Sequence, residues 1–223
     1  MVSHNNTEGL NVPITDINGR LYSSSAYRNS SVIIELITKF IPNSGKALEI
    51  ASGTGQHIIQ LGSKFKDIIW QPSDLDKERI KSINYWLSDN YTKNIKPPCH
   101  LNATKEGWSR KFPNQNFILI INLLHLISLK DTKVLLNEIF SALAPNGFLI
   151  IYGPFMRNGK LTSKGDINFH TSIRKRKNTL GYKNDVNLLE LFFKPFSCIN
   201  KISKSAKFFF FKSLLYVVSL KFK

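Results

Sequence analysis

Glu49, Gly53, Gly55, Asp74, Asn122 and His125 are the residues whose types and spacing in this sequence suit chemistry. The first three stand in Lys46 to His57, K-A-L-E-I-A-S-G-T-G-Q-H. Ala47 to Ala51 is a short apolar run carrying one acid, Glu49, and Ser52 to Gly55 is small and Gly-rich. Ile58, Ile59 and Leu61 then begin a helical pattern, so the stretch reads as strand, tight turn and helix. Glycines let the turn adopt positive φ and let backbone approach a ligand closely. The helix that follows offers free N–H groups to a polar ligand. A dinucleotide fingerprint needs G-x-G-x-x-G, and here Ile58 stands at the third glycine. A carboxylate at Glu49 would oppose a pyrophosphate and suits a ligand with a positive charge near the turn. S-adenosylmethionine, with an ammonium and a sulfonium, is such a ligand. The competing reading is an ordinary strand-to-helix turn.

These residues need a sheet to hold them. Ser23 to Ser25 can cap a helix whose apolar face is Val32, Ile33, Leu36, Ile37 and Phe40, and Pro42 ends it. Lys46 to Ala51 is the first strand and Gln56 to Phe65 the next helix. Asp67 to Gln71 is a strand leading into P-S-D-L-D. Asp74 lies about 20 residues after the Gly-turn, where such folds place an acid to accept from ribose hydroxyls; a helix cap is the alternative, and Asp76 also fits one. Lys77 to Asn90 is a helix. Cys99 to Leu101 is a short strand ending in Asn102-Ala103-Thr104, where Asn102 either accepts from an adenine amino group or closes an Asx turn. Trp108 covers a pocket or belongs to the core. Asn116 to Ile121 is continuously apolar, as in a buried parallel strand. Asn122 and His125 follow at its carboxyl end, the edge where open α/β sheets bind ligands. His125 stands where a proton could be handled; a structural histidine among leucines is the alternative.

Lys130 to Leu143 reads as a helix, Ala144-Pro145-Asn146-Gly147 as a turn and Phe148 to Tyr152 as a strand. Asp166 to Lys177 and Asp185 to Phe193 read as helices. Phe196 to Lys223 is β-rich and suits two antiparallel strands closing the sheet. The alternation predicts an α/β fold, a mostly parallel sheet with helices on both faces.

With 223 residues, a single domain is expected. The formal net charge is +16, and residues 157–223 hold 15 basic against 3 acidic side chains. That asymmetry fits a surface for RNA, acidic substrates or anionic membrane; a Lys-, Asn- and Ile-rich composition throughout explains it equally. Two cysteines and five scattered histidines suggest neither a disulfide framework nor a metal site. Residues 1–19 are polar without an apolar signal core. No apolar run approaches the ~20 residues of a membrane span. A cytoplasmic location is the expectation.

The sequence resembles the methyltransferase-like protein 26 family, a group assigned to S-adenosylmethionine-dependent methyl transfer in bacteria and eukaryotes. The resemblance is carried by L-E-I-A-S-G-T-G-Q-H (Leu48 to His57), W-Q-P-S-D (Trp70 to Asp74), Pro97-Pro98, N-L-L-H-L-I (Asn122 to Ile127), L-A-P-N-G (Leu143 to Gly147) and Y-G-P-F (Tyr152 to Phe155). It covers roughly residues 22–185 and implies a Rossmann-like class I methyltransferase fold: a seven-stranded, mostly parallel sheet with a reversed last strand. The polar start of the chain is expected to form a flexible tail over 1–21, with one methyltransferase-like domain over 22–223. By resemblance Glu49, Ala51, Gly53 and Gly55 hold the methionine end of the cofactor and Asp74 its ribose. With Arg28, Ser52, Leu75, Asn102, Ala103 and Asn122 they make the expected cofactor set. Arg28 and Asn29 match an R-N pair before the first helix. Thr162, Phe169, Arg174, Arg176 and Gly181 match a pattern on the substrate side.

Several positions depart from the family. Asn102 stands where Asp is usual, Tyr27 where an acid precedes the R-N pair, and His170 and Lys177 where aspartates are usual. K-S-A-K-F-F-F-F (Lys204 to Phe211) replaces the family's M-P-A-N-N segment. The activity implied is S-adenosylmethionine-dependent methyl transfer (EC 2.1.1.-) to an unidentified acceptor, expected to be a small molecule. His125, Asn122 and Tyr152 are the candidate catalytic residues at strand ends. The alternatives are a cofactor-binding protein without catalysis that acts through partners, and an RNA methyltransferase using the basic C-terminal region. The missing third glycine and Glu49 argue against a nicotinamide dehydrogenase.

Overall fold

The computed structural model describes residues 13–90, 92–197, 207–211 and 215–219. In chain order the elements are β1 (Ile14–Thr15), β2 (Leu21–Tyr22), α1 (Ser24–Thr38), β3 (Gly45–Ile50), α2 (Gln56–Lys64), β4 (Ile68–Asp74), α3 (Lys77–Asp89), β5 (Cys99–His100), β6 (Gln115–Ile121), α4 (Leu129–Ala142), β7 (Leu143–Tyr152), β8 (Phe155–Met156), α5 (Lys164–Arg176), β9 (Lys183–Asn184), α6 (Asp185–Ser197), β10 (Lys207–Phe211) and β11 (Leu215–Ser219). Two single turns of 3₁₀ helix cover Trp108–Lys111 and Leu124–Leu126.

Strand alternation splits the core in two. Side chains of successive strand residues point to opposite faces. Leu48, Ile50, Ile118, Ile120, Leu149 and Ile151 therefore pack on one face with Leu135, Leu136 and Ile139 of α4 and Leu188 and Phe192 of α6. Ala47, Phe117, Leu119 and Ile150 pack on the other with Ile33 and Ile37 of α1, Ile58 and Leu61 of α2 and Ile83 of α3. Burying each such Leu, Ile or Phe side chain contributes about 1.5–3 kcal/mol. Both faces are covered, which is why β6 reads as an unbroken apolar run.

Strands β5, β4, β3, β6 and β7 lie side by side and parallel. β11 pairs antiparallel with β7, and β10 with β11. The sheet expected as seven strands, mostly parallel, thus has a parallel part of five, with an antiparallel pair on one edge. The chain moves outward from β3 to β4 and β5, then returns to place β6 on the other side of β3. That reversal opens a crevice at the carboxyl ends of β3 and β6, the usual ligand position in such sheets.

Four expectations shift. β4 does not stop at Gln71 but runs through Pro72 and Ser73 to Asp74. Proline usually argues against a sheet interior, yet here Ser73 anchors the extension: its hydroxyl donates to the Glu49 carbonyl at 2.8 Å and its carbonyl accepts from the Ser52 N–H at 2.8 Å. The Ala144-Pro145-Asn146-Gly147 turn is absorbed into β7 as an irregularity: Leu143 faces Gln115, the next pair is Phe148 with Phe117, and Asn146 has φ 61°. α6 continues to Ser197. Finally, part of the expected tail is tied down. β1 and β2 form a hairpin, Arg20 bonds Asp16 and Asp89 at 2.7 Å each, and its guanidinium lies 5.0 Å from the Trp86 ring. These ties are ionic and cation–π, so they leave no apolar pattern in the sequence. Residues 1–12 lie outside the described residues.

Candidate active site

The turn after β3 is built from left-handed backbone: Ala51, Gly53 and Gly55 have φ of 57°, 61° and 94°. Gly55 is required by its neighbour as well. A Cβ there would come 3.1 Å from the Trp86 ring and 3.2 Å from the Ile83 Cα, because α3 packs directly behind the turn. Asp74, carried up by the end of β4, accepts from the Gly53 N–H at 2.9 Å and from the Asp76 N–H at 3.0 Å. Asp76 in turn caps α3 by accepting from Glu78 N–H at 2.8 Å. The helix cap is thus Asp76, while Asp74 braces the Gly-turn.

Under this turn lies a cavity of about 440 Å³ at the carboxyl ends of β3 and β6. Its first bank is Glu49, Ala51, Ser52, Gly53, Thr54 and His57. Glu49 is 1% exposed, and its Oε2 has no hydrogen-bond partner among the described residues. Burial pushes its carboxyl up to about 8, with a hydrogen bond from Ser52 opposing and the charge of Asp74 adding to the rise. His57 is also buried; its Nε2 lies 2.9 Å from Asn29 Oδ1. Burial pulls it down to about 4.

The second bank follows β6. Asn122 breaks the strand with φ 57°. The chain then makes its 3₁₀ turn, and Asn122, Leu123, His125 and Leu126 line the cavity. His125 packs against Phe169 and Tyr182, with ring centroids 5.5 and 6.3 Å away. Its Nδ1 is buried without a partner among the described residues. Burial, then the nearby Lys183 charge, pull the imidazole down to about 4. Lys183 is itself buried. Its ammonium donates to the Ile127 carbonyl at 2.7 Å and the Gly181 carbonyl at 2.9 Å, while Gly181 N–H donates to the His125 carbonyl at 2.9 Å. Burial lowers Lys183 to about 8 against the opposing charge of Asp131. Pro154, Phe169 and Arg176 border this bank, and Pro13, Arg79, Ile121 and residues at the start of α1 also line the cavity.

Of the residues singled out from sequence, Glu49, Ala51, Ser52, Gly53, Asn122 and His125 line this one cavity. Arg28, Gly55, Asp74, Leu75, Asn102, Ala103 and Tyr152 do not line it. Arg28 is exposed and Leu75 is half-exposed. Asn102 Oδ1 accepts from the Thr104 N–H at 3.1 Å and hydroxyl at 2.8 Å, so its oxygen closes the Asx turn. Ala103 is core, and its carbonyl accepts from Trp108 Nε1 at 3.1 Å. Trp108 is likewise core rather than pocket cover. Tyr152 sits behind the cavity: burial raises its phenol, a hydrogen bond to Asn29 lowers it, and its carbonyl accepts from Asn122 N–H at 2.7 Å. Thr54, His57, Arg79 and Pro154 were missed. Thr54 and His57 flank the Gly-turn and were within reach of a sequence argument; Arg79 and Pro154 arrive through packing.

The cavity suits a cofactor with a cationic end. Glu49 Oε2 is a buried acceptor without a partner, and unpaired buried polar atoms are costly; an ammonium would satisfy it. Among the described residues there is no cluster of His, Cys, Asp and Glu that would hold a metal, and no helix is long and apolar enough to cross a membrane.

Solved structures share this fold. An O-methyltransferase family protein from Burkholderia thailandensis superimposes with a TM-score of 0.71 at 11% identity, over 88% of this chain and 57% of its own. The S-adenosylmethionine-dependent methyltransferase SibL, in its apo form, gives 0.64 at 10% identity, over 88% and 56%. The PH0226 protein from Pyrococcus horikoshii gives 0.64 at 12% identity, over 90% and 92%. This chain spans a little over half the length of the first two. At such identities the likeness is one of fold, and the fold is that of class I methyltransferases. A family described as "Protein of unknown function (DUF938)" matches residues 20–193, most of the chain, and the chain belongs to that family.

Proposed function

We propose that this protein is an S-adenosylmethionine-dependent methyltransferase of small-molecule acceptors. The observation that carries the reading is Glu49: a buried carboxyl whose Oε2 has no partner among the described residues, near the carboxyl end of β3, on the wall of a cavity at the sheet's switch point. The resemblance to the methyltransferase-like protein 26 family and the shared methyltransferase fold support it. Bound there, the cofactor would supply a methyl group already activated on a sulfonium.

The chain's own residues have the remaining work. Glu49 accepts from an ammonium and becomes ionised as it does so. The Gly53 turn lets backbone approach the ligand, and Asp74 keeps that turn in shape. Asn122 and His125 face the acceptor from the end of β6. His125 is neutral at pH 7 and is the candidate base for an acceptor that arrives protonated; its depressed basicity suits an acceptor whose proton leaves as the methyl arrives. The protein otherwise contributes orientation and exclusion of water.

The test is calorimetric titration with S-adenosylmethionine, S-adenosylhomocysteine and NAD. Binding of the first two but not NAD, weakened in Glu49→Gln, is expected. A folded protein that binds neither would overturn the reading. A second reading, cofactor binding without turnover, is favoured by one feature of the sequence: K-S-A-K-F-F-F-F (Lys204 to Phe211) replaces the family's M-P-A-N-N segment. It predicts cofactor binding with no methyl transfer across a broad acceptor screen.

A further inference from the structure

We propose that the α5 side of the cavity is a site for a small organic acid, an apolar body carrying one carboxylate held by Arg176, and that this acid is the methyl acceptor: a nucleophilic atom on it would form the new bond to the methyl carbon as the carbon–sulfonium bond breaks, S-adenosylhomocysteine would leave, and a proton on that atom would pass to His125. The second clause rests on the methyltransferase reading; the site itself does not.

Three observations point there. First, Phe169 and Arg176 lie two turns apart on α5 and both line the cavity, while Ile173 between them is buried. One face of α5 thus brings a phenylalanine and an arginine to the same space. Second, the charges in the lining are unevenly matched. Glu49 is the acid of the lining, on the opposite bank. Arg79 has a carboxylate within reach, Asp74 Oδ2 at 3.9 Å. Arg176 has no ion pair with an acid among the described residues. Third, Leu123, Leu126, Pro154 and Phe169 give this bank an apolar surface beside the polar Asn122 and His125.

A guanidinium fits a carboxylate bidentately, and the apolar neighbours fit a hydrocarbon or aromatic body. Arg174, Lys175 and Lys177 flank Arg176 and are exposed. Cations at a helix C-terminus also offset the helix dipole, which accounts for the run but not for the cavity position of Arg176. At the mouth of a cleft such a run draws anions inward.

The experiment titrates benzoate, cinnamate and octanoate, each against its neutral amide, and inorganic phosphate, into the full chain. It is run without and with saturating S-adenosylhomocysteine, on the wild type and on Arg176→Gln. Arg176 is exposed, so the variant is expected to fold, with circular dichroism as the check. At least one acid is expected to bind tenfold or more tightly than its amide and than phosphate. That preference should vanish in the variant while S-adenosylhomocysteine affinity stays unchanged. Equal binding of acids and amides, phosphate binding as well as the acids, no binding by any acid, or a preference that survives in the variant would each overturn the proposal. Loss of S-adenosylhomocysteine affinity in Arg176→Gln would overturn it too, by assigning the arginine to the cofactor. If the wild type binds no S-adenosylhomocysteine, methyl transfer falls, and the acid-to-amide ratio on the ligand-free protein still decides the carboxylate site.

Discussion

Burial holds Glu49 on one bank of the cavity and His125 on the other in their neutral forms, by opposite shifts. On the β3 bank, burial raises Glu49 to about 8; on the β6 bank, burial and Lys183 lower His125 to about 4. The banks differ in how they are built. Glu49 sits in a continuous run whose backbone is braced by Ser52, Ser73 and Asp74. His125 is held from outside its own segment, by Phe169, Tyr182, Gly181 and Lys183. One bank is a local motif that keeps an acceptor ready for a cation. The other is an assembly from separate elements, and its shape is free to follow the acceptor.

The largest test of this contrast is the pH dependence of stability. His57 and His125 have folded pKa values depressed from 6.5 to about 4. Their neutral forms therefore stabilise the fold fully above pH 6.5, and that stability is lost as pH falls toward 4, on the order of 3 kcal/mol for each. Glu49 works the other way. Its raised pKa contributes stability that is present below 4.5 and lost as pH rises through 8. Denaturant unfolding from pH 4 to 8 should therefore peak near pH 6.5, and His57→Phe should flatten the acid side. An acid limb as steep as wild type in that variant would contradict the assignment.

Gly55→Ala comes next. Positive φ and the contact with Ile83 together should cost about 2 kcal/mol, read as a lower denaturation midpoint, and should weaken S-adenosylhomocysteine binding from the same bank. Glu49→Gln should leave the fold in place yet weaken S-adenosylhomocysteine about tenfold or more, the loss of one charge-assisted hydrogen bond. In the wild type that affinity should rise with pH up to about 8, as the carboxyl ionises, and then level off; in the variant the rise should be absent. Retention of the rise would place the titrating group elsewhere.

The smallest effect is expected at Lys183→Met, which removes the clasp on the second bank. Stability should fall by about 1 kcal/mol. The His125 pKa, followed by NMR, should move upward, because a cation that depresses it is gone. Cofactor affinity should stay within twofold, since the first bank does not touch this residue. A large loss of cofactor affinity would show that the banks are not independent.

Most of the first bank was legible in the sequence. Glycines and an acid at fixed spacing after an apolar run constrain backbone within ten residues, and the structure places Glu49, Ser52 and Gly53 together as that spacing requires. The alternation of apolar runs likewise announced a parallel sheet, because strands covered on both faces read as unbroken hydrophobic stretches. The position of Asp74, 21 residues from Gly53, is a sequence fact, whereas its hydrogen bond to the Gly53 N–H depends on β4 continuing through Pro72. The Asx turn at Asn102, with Thr104 donating to its oxygen, was one of two readings its sequence position allowed.

The second bank was decided by tertiary structure. Asn122 and His125 were visible as residues at a strand end; Phe169 and Arg176, marked for the substrate side only by family resemblance, stand about 44 to 54 residues further along, on a helix whose cavity face is set by packing. Periodicity says which side of α5 is apolar, not what that side meets. Local sequence determined the motif that bends the chain and carries Glu49, because φ preferences and strand patterning act within a few residues. The choice of which distant cation and aromatic ring would share its cavity was left to the packing of the sheet and its helices, because long-range contacts are fixed only when the core closes.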